Sequence, residues 1–433
     1  MDRRRSRLLG VTGMMAVGGL LAGCAGFGGG GGGGEGDAQT LTFTTWASES
    51  EEAAFNELVA DFEASHEGAN VELNVVPYEG MFTNIDSQLA SGEAPDIFRV
   101  DYGNLGVYSS QEQLLDLTDY FTQDEIDGFT PAFWEAVSFE GAPYGVPHQT
   151  DVSAVLINTS LWESAGLSVA DIPTAQADAW TWEEFAGVAE QLRGGLPADK
   201  YPFVYNWQLG GTPRWLSWLF QAGGALLDED GGSAIDSPEA TKALDFTKSF
   251  FTNNWVPPTS SVKASVYADN VFTEQTTAMA FVGSFLVPDQ EALNEFEWVA
   301  APMPVDQRGA TDLGGNALVA TAGTDNPDLA AEFLKFMVEA DNMSAFCAAT
   351  NELPTRADID PASIEFAVRP DVMPVFVEQA TTIAASDVPQ LTSPYLAEIS
   401  VAMQDQLEAA FVSGQSTADT LANIAEAVDE ATN

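Results

Sequence analysis

Two side chains able to bind a small polar molecule each follow a predicted strand near the amino-terminal end of the chain. Trp46 ends the alternating segment TLTFTTW, and Asp101 comes directly after the apolar segment PDIFRV. If both strands belong to one parallel sheet, their carboxyl ends lie at the edge where such sheets bind ligands. A carboxylate accepts several hydrogen bonds and an indole ring offers a flat apolar face, so this pair suits a hydroxyl-rich molecule.

The residue types that support metal or nucleophilic catalysis are scarce. Only two histidines occur, His66 and His148, and their separation weakens the case for a zinc site or a Ser-His-Asp triad. Cys347 lies in the apolar helical segment MSAFCAAT, which predicts a buried, inert thiol. The acidic runs lack the fixed Asp and Gly positions of a calcium loop. We therefore expect no metal site, no cofactor and no covalent step.

Alternating strands and helices are predicted to position Trp46 and Asp101. After the first strand, Ser48 or Ser50 is expected to cap a helix that Gly68 ends. A second strand and a second helix then precede the strand that leads to Asp101. Strand, helix, strand, helix, strand in this order predicts a parallel sheet with helical crossovers, and therefore an α/β fold.

Two proline-broken segments divide the rest of the chain. GAPYGVPHQTD and FEWVAAPMPVD are extended and apolar, which is typical of crossings between two lobes. Between them, Thr181 and Glu184 have the spacing of a capping box at the start of a predicted helix. The length of the chain, 433 residues, also favours two domains.

The first residues have the character of an export signal. MDRRRSR is basic and the apolar run after it is too short to span a membrane, which is typical of a secretory signal over residues 1–23. The segment LAGC, which ends at Cys24, resembles the lipobox of prokaryotic lipoproteins, where the cysteine is lipidated. The adjacent arginines resemble a twin-arginine signal, but their spacing is imperfect, so the export route stays open. The glycine-rich residues 24–39 are expected to form a flexible tether.

The composition excludes some partners. The formal net charge is −50, with 65 acidic and 15 basic residues, so nucleic acid and anionic membrane surfaces would repel the protein. Hydrophobic residues make up 45% of the chain, which is enough for a folded core. The acids predict a solvated surface suited to concentrated salt, and therefore a halophilic source.

A series of motifs in a fixed order carries a family resemblance over almost the whole chain after the tether. The motifs are FTTWAS, LASGEAPDIFRVD, YGVPHQTDVSAVLINTSLWESAGL, TWEEFAGVAEQL, TTAMAFVGSF, APMP with DLGGNALVAT, and AFVSGQSTADTLANIAEAV. Together they resemble the extracellular solute-binding proteins of ABC importers, in the sugar-binding group related to the maltodextrin-binding proteins. The resemblance implies capture of a sugar or oligosaccharide outside the membrane and delivery to an ABC permease, without catalysis.

The resemblance also implies a two-lobed, periplasmic-binding-protein-like fold of type II. Each lobe is expected to hold a mostly parallel sheet flanked by helices, with two or three hinge crossings that allow closure over a ligand. The expected boundaries are residues 40–147 plus 302–355 for the first lobe and 148–301 plus 356–433 for the second. We expect the protein to act as a monomer on the extracellular face of the cell membrane.

The family also implies the ligand contacts. Asp151, before the strand VSAVLIN, is the leading polar candidate. The other predicted contacts are Trp46, Asp101, Trp207, Phe285, Gly314, Gly315 and Tyr395. Asn316 and Gln208 accompany them, and Trp215 and Trp218 are weaker candidates that core packing explains equally well.

Other functions stay open at this stage. The same fold binds non-sugar solutes, and a polyamine would suit the acids and aromatic rings through cation–π contacts. A phosphorylated polyol would require arginine or lysine, of which few occur in the middle of the chain: Arg99, Arg214, Arg308 and Arg356. A secreted glycoside hydrolase would require two suitably spaced carboxylates, one with a raised pKa.

Overall fold

The computed structural model describes residues 39–208, 210–228 and 230–432, and these contain two main β-sheets. Cys24 and the predicted signal and tether lie outside the described residues, except for Gln39. The strands are β1 (Gln39–Thr45), β2 (Ala69–Val75), β3 (Ile97–Asp101), β4 (Ser138–Phe139), β5 (Ala142–Pro143), β6 (Val146–Gln149), β7 (Ser153–Asn158), β8 (Tyr201–Val204), β9 (Thr277–Gly283), β10 (Trp298–Ala301) and β11 (Asn316–Ala320).

Helices cover both sheets. They are α1 (Glu49–Ser65), α2 (Met81–Ser91), α3 (Tyr102–Ser109), α4 (Gln123–Ile126), α5 (Pro131–Ala136), α6 (Thr159–Ser164), α7 (Trp182–Gly195), α8 (Leu216–Gln221), α9 (Pro238–Thr252), α10 (Ala268–Thr273), α11 (Val287–Leu293), α12 (Pro327–Met337), α13 (Ala340–Thr350), α14 (Met373–Ala380), α15 (Val388–Leu391), α16 (Leu396–Val412) and α17 (Thr417–Thr432). No helix of the described ranges is long and apolar enough to cross a bilayer.

The first sheet has the strand order β2-β1-β3-β11-β6. β1 pairs in parallel with β2 and β3, as the alternation of strands and helices predicts. β11 comes from much later in the chain and runs antiparallel to both β3 and β6. Trp46 and Asp101 therefore do stand at the carboxyl ends of two neighbouring parallel strands.

The second sheet has the strand order β10-β7-β9-β8. β7 is antiparallel to β9 and β10, and only β8 and β9 are parallel. The α/β class is confirmed, and so is the mostly parallel character of each sheet: β2, β1, β3 and β6 share one direction in the first, and β8, β9 and β10 share one direction in the second. Each sheet holds one reversed strand, β11 in the first and β7 in the second, and helices lie in every connection between consecutive strands of the second sheet.

Local signals at helix starts are confirmed where the cap and its partner are close in sequence. The Ser48 side chain accepts a hydrogen bond from the amide of Glu51, and the Glu51 carboxylate accepts one from Ser48, so Ser48 caps α1. Thr181 and Glu184 form the predicted capping box of α7. Each cap satisfies backbone donors that the first turn of a helix leaves free, which is worth about 1 kcal/mol.

Each sheet has its own aromatic core. Beneath the first sheet, Phe43 packs edge-on against Phe55 and Phe333, with ring centroids 5.4 and 5.7 Å apart. Beneath the second, Phe281 contacts Phe203 and Trp218 at 5.8 Å each. The burial of each such ring contributes roughly 2–3 kcal/mol, so each sheet holds its own helices in place.

Three connections join the sheets. Residues 150–152 link β6 to β7, and residues 302–315 link β10 to β11. The third connection passes through Leu353, whose backbone exchanges hydrogen bonds of 2.8 Å in each direction with the backbone of Thr150. Val305 pairs with Trp180 and Trp182 beside the second sheet, so the first part of residues 302–355 runs along that sheet, and the lobe boundaries stay a prediction. The chain joins the first sheet only at Asn316.

Candidate ligand-binding site

Asp101 is positioned by the end of β3 and the start of α3. Its Oδ2 accepts a hydrogen bond of 2.8 Å from the Tyr78 hydroxyl, and its Oδ1 accepts one of 2.7 Å from the Asn316 side-chain amide. Burial raises the pKa of Asp101 despite these donors and the nearby guanidinium groups of Arg99 and Arg214. Both carboxylate oxygens are therefore already engaged by the protein.

Trp46 lies beside Asp101, at the end of the neighbouring strand. Its half-buried ring meets Tyr78 and Phe82 edge-on, with centroids 5.1 and 5.8 Å apart. The guanidinium carbon of Arg99 is 4.6 Å from the centre of the same ring, a cation–π contact. These neighbours fix the orientation of Trp46, and a ligand contact at its ring stays a prediction.

Arg99 is the buried centre of this edge. It is 1% exposed and donates to Glu51 at 2.6 Å and to Glu352 at 3.3 Å. Burial alone would raise the pKa of Glu51, but Arg99 and the Ser48 amide hold that pKa below its usual value. Gln149 extends the network, because its side-chain amide donates to Glu352 at 2.9 Å and to Asn316 at 2.6 Å.

Asp151 lies in the connection between β6 and β7 and differs from Asp101. It is 7% exposed, and its Oδ1 is buried without a hydrogen-bond partner. Burial, followed by the charge of Asp312, raises the pKa of Asp151 to about 7. A buried polar atom without a partner costs free energy in the isolated protein. Oδ1 is enclosed beside Gly283 and Gly314, so a ligand would meet the Asp151 side chain through the 7% of the residue that is exposed.

Asp312 and Arg214 bring a second charged pair to the same place. Arg214 Nε donates to Asp312 Oδ2 at 2.9 Å, and Asp312 Oδ1 accepts from the Ser153 amide at 3.0 Å. Burial and the charge of Asp101 raise the pKa of the Tyr78 hydroxyl, and the charge of Arg214 opposes that rise. We use the name inter-sheet site for this cluster of side chains: Trp46, Tyr78, Asp101, Asp151, Arg214 and Asp312.

The predicted glycines contact the protein's own crossing. A Cβ on Gly314 would overlap the carboxylate and carbonyl of Asp151. Gly315 has φ +97°, and a Cβ there would overlap the backbone of Gln149 and Thr150. These glycines let two connections pass each other closely, and this packing explains their residue type. A ligand contact at Gly314 and Gly315 stays a prediction.

Four aromatic side chains of the described residues are exposed by more than a third: Tyr78 (47%), Tyr267 (47%), Phe285 (39%) and Tyr395 (43%). Phe285 curls back over Gly283, where a Cβ would overlap the Phe285 ring and lie 3.2 Å from Asp151 Oδ1. The Phe285 ring therefore lies beside Oδ1 of Asp151. Tyr395 begins α16, next to the segment that packs on Gly106 of α3.

Trp207 is not in the site. It is fully buried, its Nε1 donates to the Ser260 carbonyl at 2.7 Å, and its ring stacks on Phe411 at 5.0 Å. Trp215 and Trp218 are also fully buried in the core of the second sheet. The prediction of a Trp207 contact is corrected to a core role, because a side chain without exposed surface has no face for a ligand.

The sequence interpretation missed Tyr78 and Tyr267 and did not place Asp312. Tyr78 follows β2, so the carboxyl-end rule that selected Trp46 and Asp101 would have found it too. Asp312 is recognisable only through its pairing with Arg214, which is 98 residues away in the chain.

The two residue types that were considered for metal binding or nucleophilic chemistry are buried in the described structure. His148 is fully buried against Phe55 and Phe346, and burial lowers its pKa to about 3. Cys347 is buried, as predicted, and burial raises the pKa of its thiol. In the described ranges, no group of three or more His, Cys, Asp or Glu side chains could hold a metal ion.

Two sheets joined by three connections, with charged and aromatic side chains at their junction, suit a protein that binds a small solute between them. The family model of bacterial extracellular solute-binding proteins matches residues 46–344. The chain therefore belongs to that family.

Named relatives are distant in sequence but cover most of the chain. The diacetylchitobiose binding protein DasA of Streptomyces coelicolor is 23% identical over 372 residues, which are 82% of this chain and 83% of that protein. The maltodextrin-binding protein MdxE of Bacillus subtilis is 22% identical over 313 residues, 70% of this chain and 72% of that one.

A solved structure has the same fold. The cyclic alpha-maltosyl-1,6-maltose binding protein from Arthrobacter globiformis matches with a TM-score of 0.77 at 22% identity, covering 91% of this chain and 98% of that protein. The two-lobed periplasmic-binding-protein-like fold expected from the sequence is confirmed by this likeness.

Proposed function

We propose that this protein captures a sugar or oligosaccharide outside the cell membrane and delivers it, unchanged, to an ABC permease. The observation that carries the proposal is the Asp151 carboxylate, whose Oδ1 lacks a hydrogen-bond partner, beside the exposed ring of Phe285 at the junction of the two sheets. A sugar presents hydroxyl donors next to apolar C–H faces, and this carboxylate and ring match both.

Opposite sides of the site belong to different sheets. Trp46, Tyr78 and Asp101 stand on the first sheet, whereas Arg214 follows β8, an edge strand of the second sheet. The lobes proposed from the sequence would close by rotation about the crossings, with Thr150 and Leu353 at one of them. A ligand that contacts both sides binds the closed form better than the open one and raises its population by that difference in affinity.

Relatives support the choice of a sugar. The named proteins above bind diacetylchitobiose, maltodextrin and cyclic alpha-maltosyl-1,6-maltose. Their family is one of binding proteins, which favours capture over turnover, so we propose no enzyme activity. A phosphorylated polyol is less well matched, because the two arginines nearest the site, Arg99 and Arg214, already pair with Glu51, Glu352 and Asp312.

The amino-terminal residues supply the location. We propose that residues 1–23 direct export, that Cys24 is lipidated, and that the glycine-rich tether holds the protein at the outer face of the membrane. The excess of acidic residues suits concentrated salt, where charges are screened over about 3 Å. A Cys24→Ser variant is expected to move from the membrane fraction to the medium while its ligand affinity is unchanged. Retention of that variant on the membrane would contradict the anchor.

Calorimetry on the full chain tests the binding function. Glucose, maltose, maltotriose, cellobiose and diacetylchitobiose are titrated into wild type, Asp151→Ala and Glu67→Gln. At least one sugar should bind with saturation, and Asp151→Ala should weaken it by about tenfold or more. Glu67→Gln removes a charge from an exposed turn at the opposite, amino-terminal edge of the first sheet and should change nothing. Heat without saturation for every sugar would refute the proposal.

A further inference from the structure

The inter-sheet site holds more carboxylates than its guanidinium groups can neutralise. Arg99 is engaged by Glu51 and Glu352, and Arg214 by Asp312. Asp101 accepts only neutral donors, a tyrosine hydroxyl and two amide groups, and Asp151 Oδ1 accepts none. Counted as ionised groups, the carboxylates of this cluster exceed its guanidinium groups, so it favours a cation.

Asp151 is the point where a cation fits. The charged groups that act on it are Asp312 and Asp101, which repel a further negative charge, and Arg214 and Arg99, which favour it. Both arginines already have acidic partners, so the positive charge near Asp151 is shared. An incoming positive group would approach the Asp151 side chain through the 7% of the residue that is exposed, next to an enclosed and unpartnered Oδ1, where Coulomb interactions are stronger than in water.

Beside this oxygen lies an aromatic ring. Phe285 packs over Gly283, and the same glycine is close to Asp151 Oδ1. An aromatic face next to a carboxylate binds an ammonium group by a charge-assisted hydrogen bond and a cation–π contact, and it still accommodates the C–H face of a sugar ring. A neutral hydroxyl would use only part of this arrangement.

We propose that the sugar bound at this site carries a protonated amino group, and that this group pairs with Asp151. The inference rests on the proposed sugar-binding function and narrows its substrate class from neutral saccharides to amino sugars. Burial and Asp312 raise the pKa of Asp151 to about 7, which supports the inference, because it indicates that the free protein lacks a counter-ion there.

Paired sugars that differ only at carbon 2 test the inference by calorimetry on the full chain. The pairs are glucose with glucosamine, galactose with galactosamine, mannose with mannosamine, and cellobiose with the fully deacetylated chitosan disaccharide. Spermidine is included as an amine without a sugar ring. In every pair that binds, we expect the amino sugar to bind about tenfold more tightly or better.

Two variants assign the preference to Asp151. Asp151→Asn keeps the size of the side chain and removes its charge, so the ratio within a pair should fall to about threefold or less. Glu67→Gln, with the same charge change at the far edge of the first sheet, should keep the full ratio. A ratio that persists in Asp151→Asn would overturn the assignment.

The possible failures are distinct. Equal or tighter binding of the neutral member in every pair would overturn the amino-sugar inference and leave the proposed sugar-binding function intact. Binding of spermidine alone, or of nothing, would overturn the proposed function and the inference that depends on it.

Proton exchange gives a second readout. An ammonium group should hold Asp151 ionised in the complex, so binding near pH 6, where the amino group of the free sugar is protonated and Asp151 of the free protein is mostly protonated, should release protons. The binding heat should then vary with the ionisation enthalpy of the buffer in wild type and in Glu67→Gln, but not in Asp151→Asn. A buffer-independent heat in wild type would contradict the pairing of the ammonium group with Asp151.

Discussion

Asp101 and Asp151 lie in the same site but have opposite surroundings. Asp101 accepts hydrogen bonds at both oxygens, from Tyr78 and Asn316, and so stands in a completed network. Asp151 leaves Oδ1 without a partner although the side chain is almost fully buried. The hydrogen bonds at the edge of the first sheet are therefore complete without a ligand. In the crossing that carries Asp151, one carboxylate oxygen has no hydrogen-bond partner.

This contrast separates groups that position the site from groups that bind. Arg99 and Glu352 hold Trp46 and Gln149 through contacts that exist without ligand. In our proposal, the Asp151 carboxylate gains a polar partner when the sugar binds. Changes on the first side should therefore act mainly on folding, and changes around Asp151 mainly on ligand affinity.

The largest expected effect breaks the assembled side. Arg99→Leu leaves Glu51 and Glu352 as buried carboxylates without a counter-charge, which should lower the free energy of unfolding by about 3–5 kcal/mol. Urea denaturation measures it. Lys263→Leu removes a cation from the exposed pair with Asp405 and should cost less than about 1 kcal/mol. Equal effects of the two substitutions would show that the Arg99 network does not support the fold.

A pH series on Asp151→Asn sharpens the other half of the comparison. The pKa of Asp151 is about 7 in the folded protein and has its ordinary, lower value in the unfolded chain. Between about pH 4 and 7 the folded state therefore holds the extra proton, and wild type loses stability as the pH rises. Asp151→Asn should match wild type at pH 4 and exceed it by up to about 4 kcal/mol at pH 8. A stability difference independent of pH would contradict the raised pKa of the buried Asp151 carboxylate.

A methyl group at Gly314 tests the close approach of the crossings. Its Cβ would overlap Asp151, so Gly314→Ala should cost about 1–3 kcal/mol of stability and also weaken sugar binding. Gly187 in α7 has open space around its Cβ position, so Gly187→Ala should be neutral or stabilise by about 1 kcal/mol. Thermal unfolding with and without sugar compares the two variants. A neutral Gly314→Ala would mean that the crossings are not tightly packed.

The smallest expected effects distinguish exposed rings from buried ones. Phe285→Ala removes an exposed ring and should reduce sugar affinity about three- to tenfold with little change in stability. Trp207→Phe should do the reverse, because it loses the hydrogen bond to Ser260 and core volume without any contact to ligand. Calorimetry and denaturation on both variants provide the check. A large loss of affinity in Trp207→Phe would return that residue to the site.

Local patterns predicted the features that depend on neighbours in the chain. The capping box at Thr181 and the parallel pairing of the first three strands follow from spacing alone. The family resemblance added Asp151 and Phe285, which the structure brings together. The reversed direction of β11 could not be predicted, because this strand pairs with strands that are far away in sequence.

Residue type could not separate binding residues from core residues. Trp207 and Phe285 are both large aromatics, but one packs among other rings and the other is exposed. The charge balance around Asp151 depends on Asp312 and Arg214, which only tertiary folding brings together. The lack of a hydrogen-bond partner at Asp151 Oδ1 is likewise a property of the folded chain.

The most direct measurement is a crystal structure of the full chain with the tightest-binding sugar. The account predicts a polar atom of the sugar within hydrogen-bond distance of the Asp151 carboxylate, with a sugar face against Phe285 and the two sheets closed around it. A sugar bound elsewhere, with the Asp151 carboxylate still lacking a partner, would contradict it.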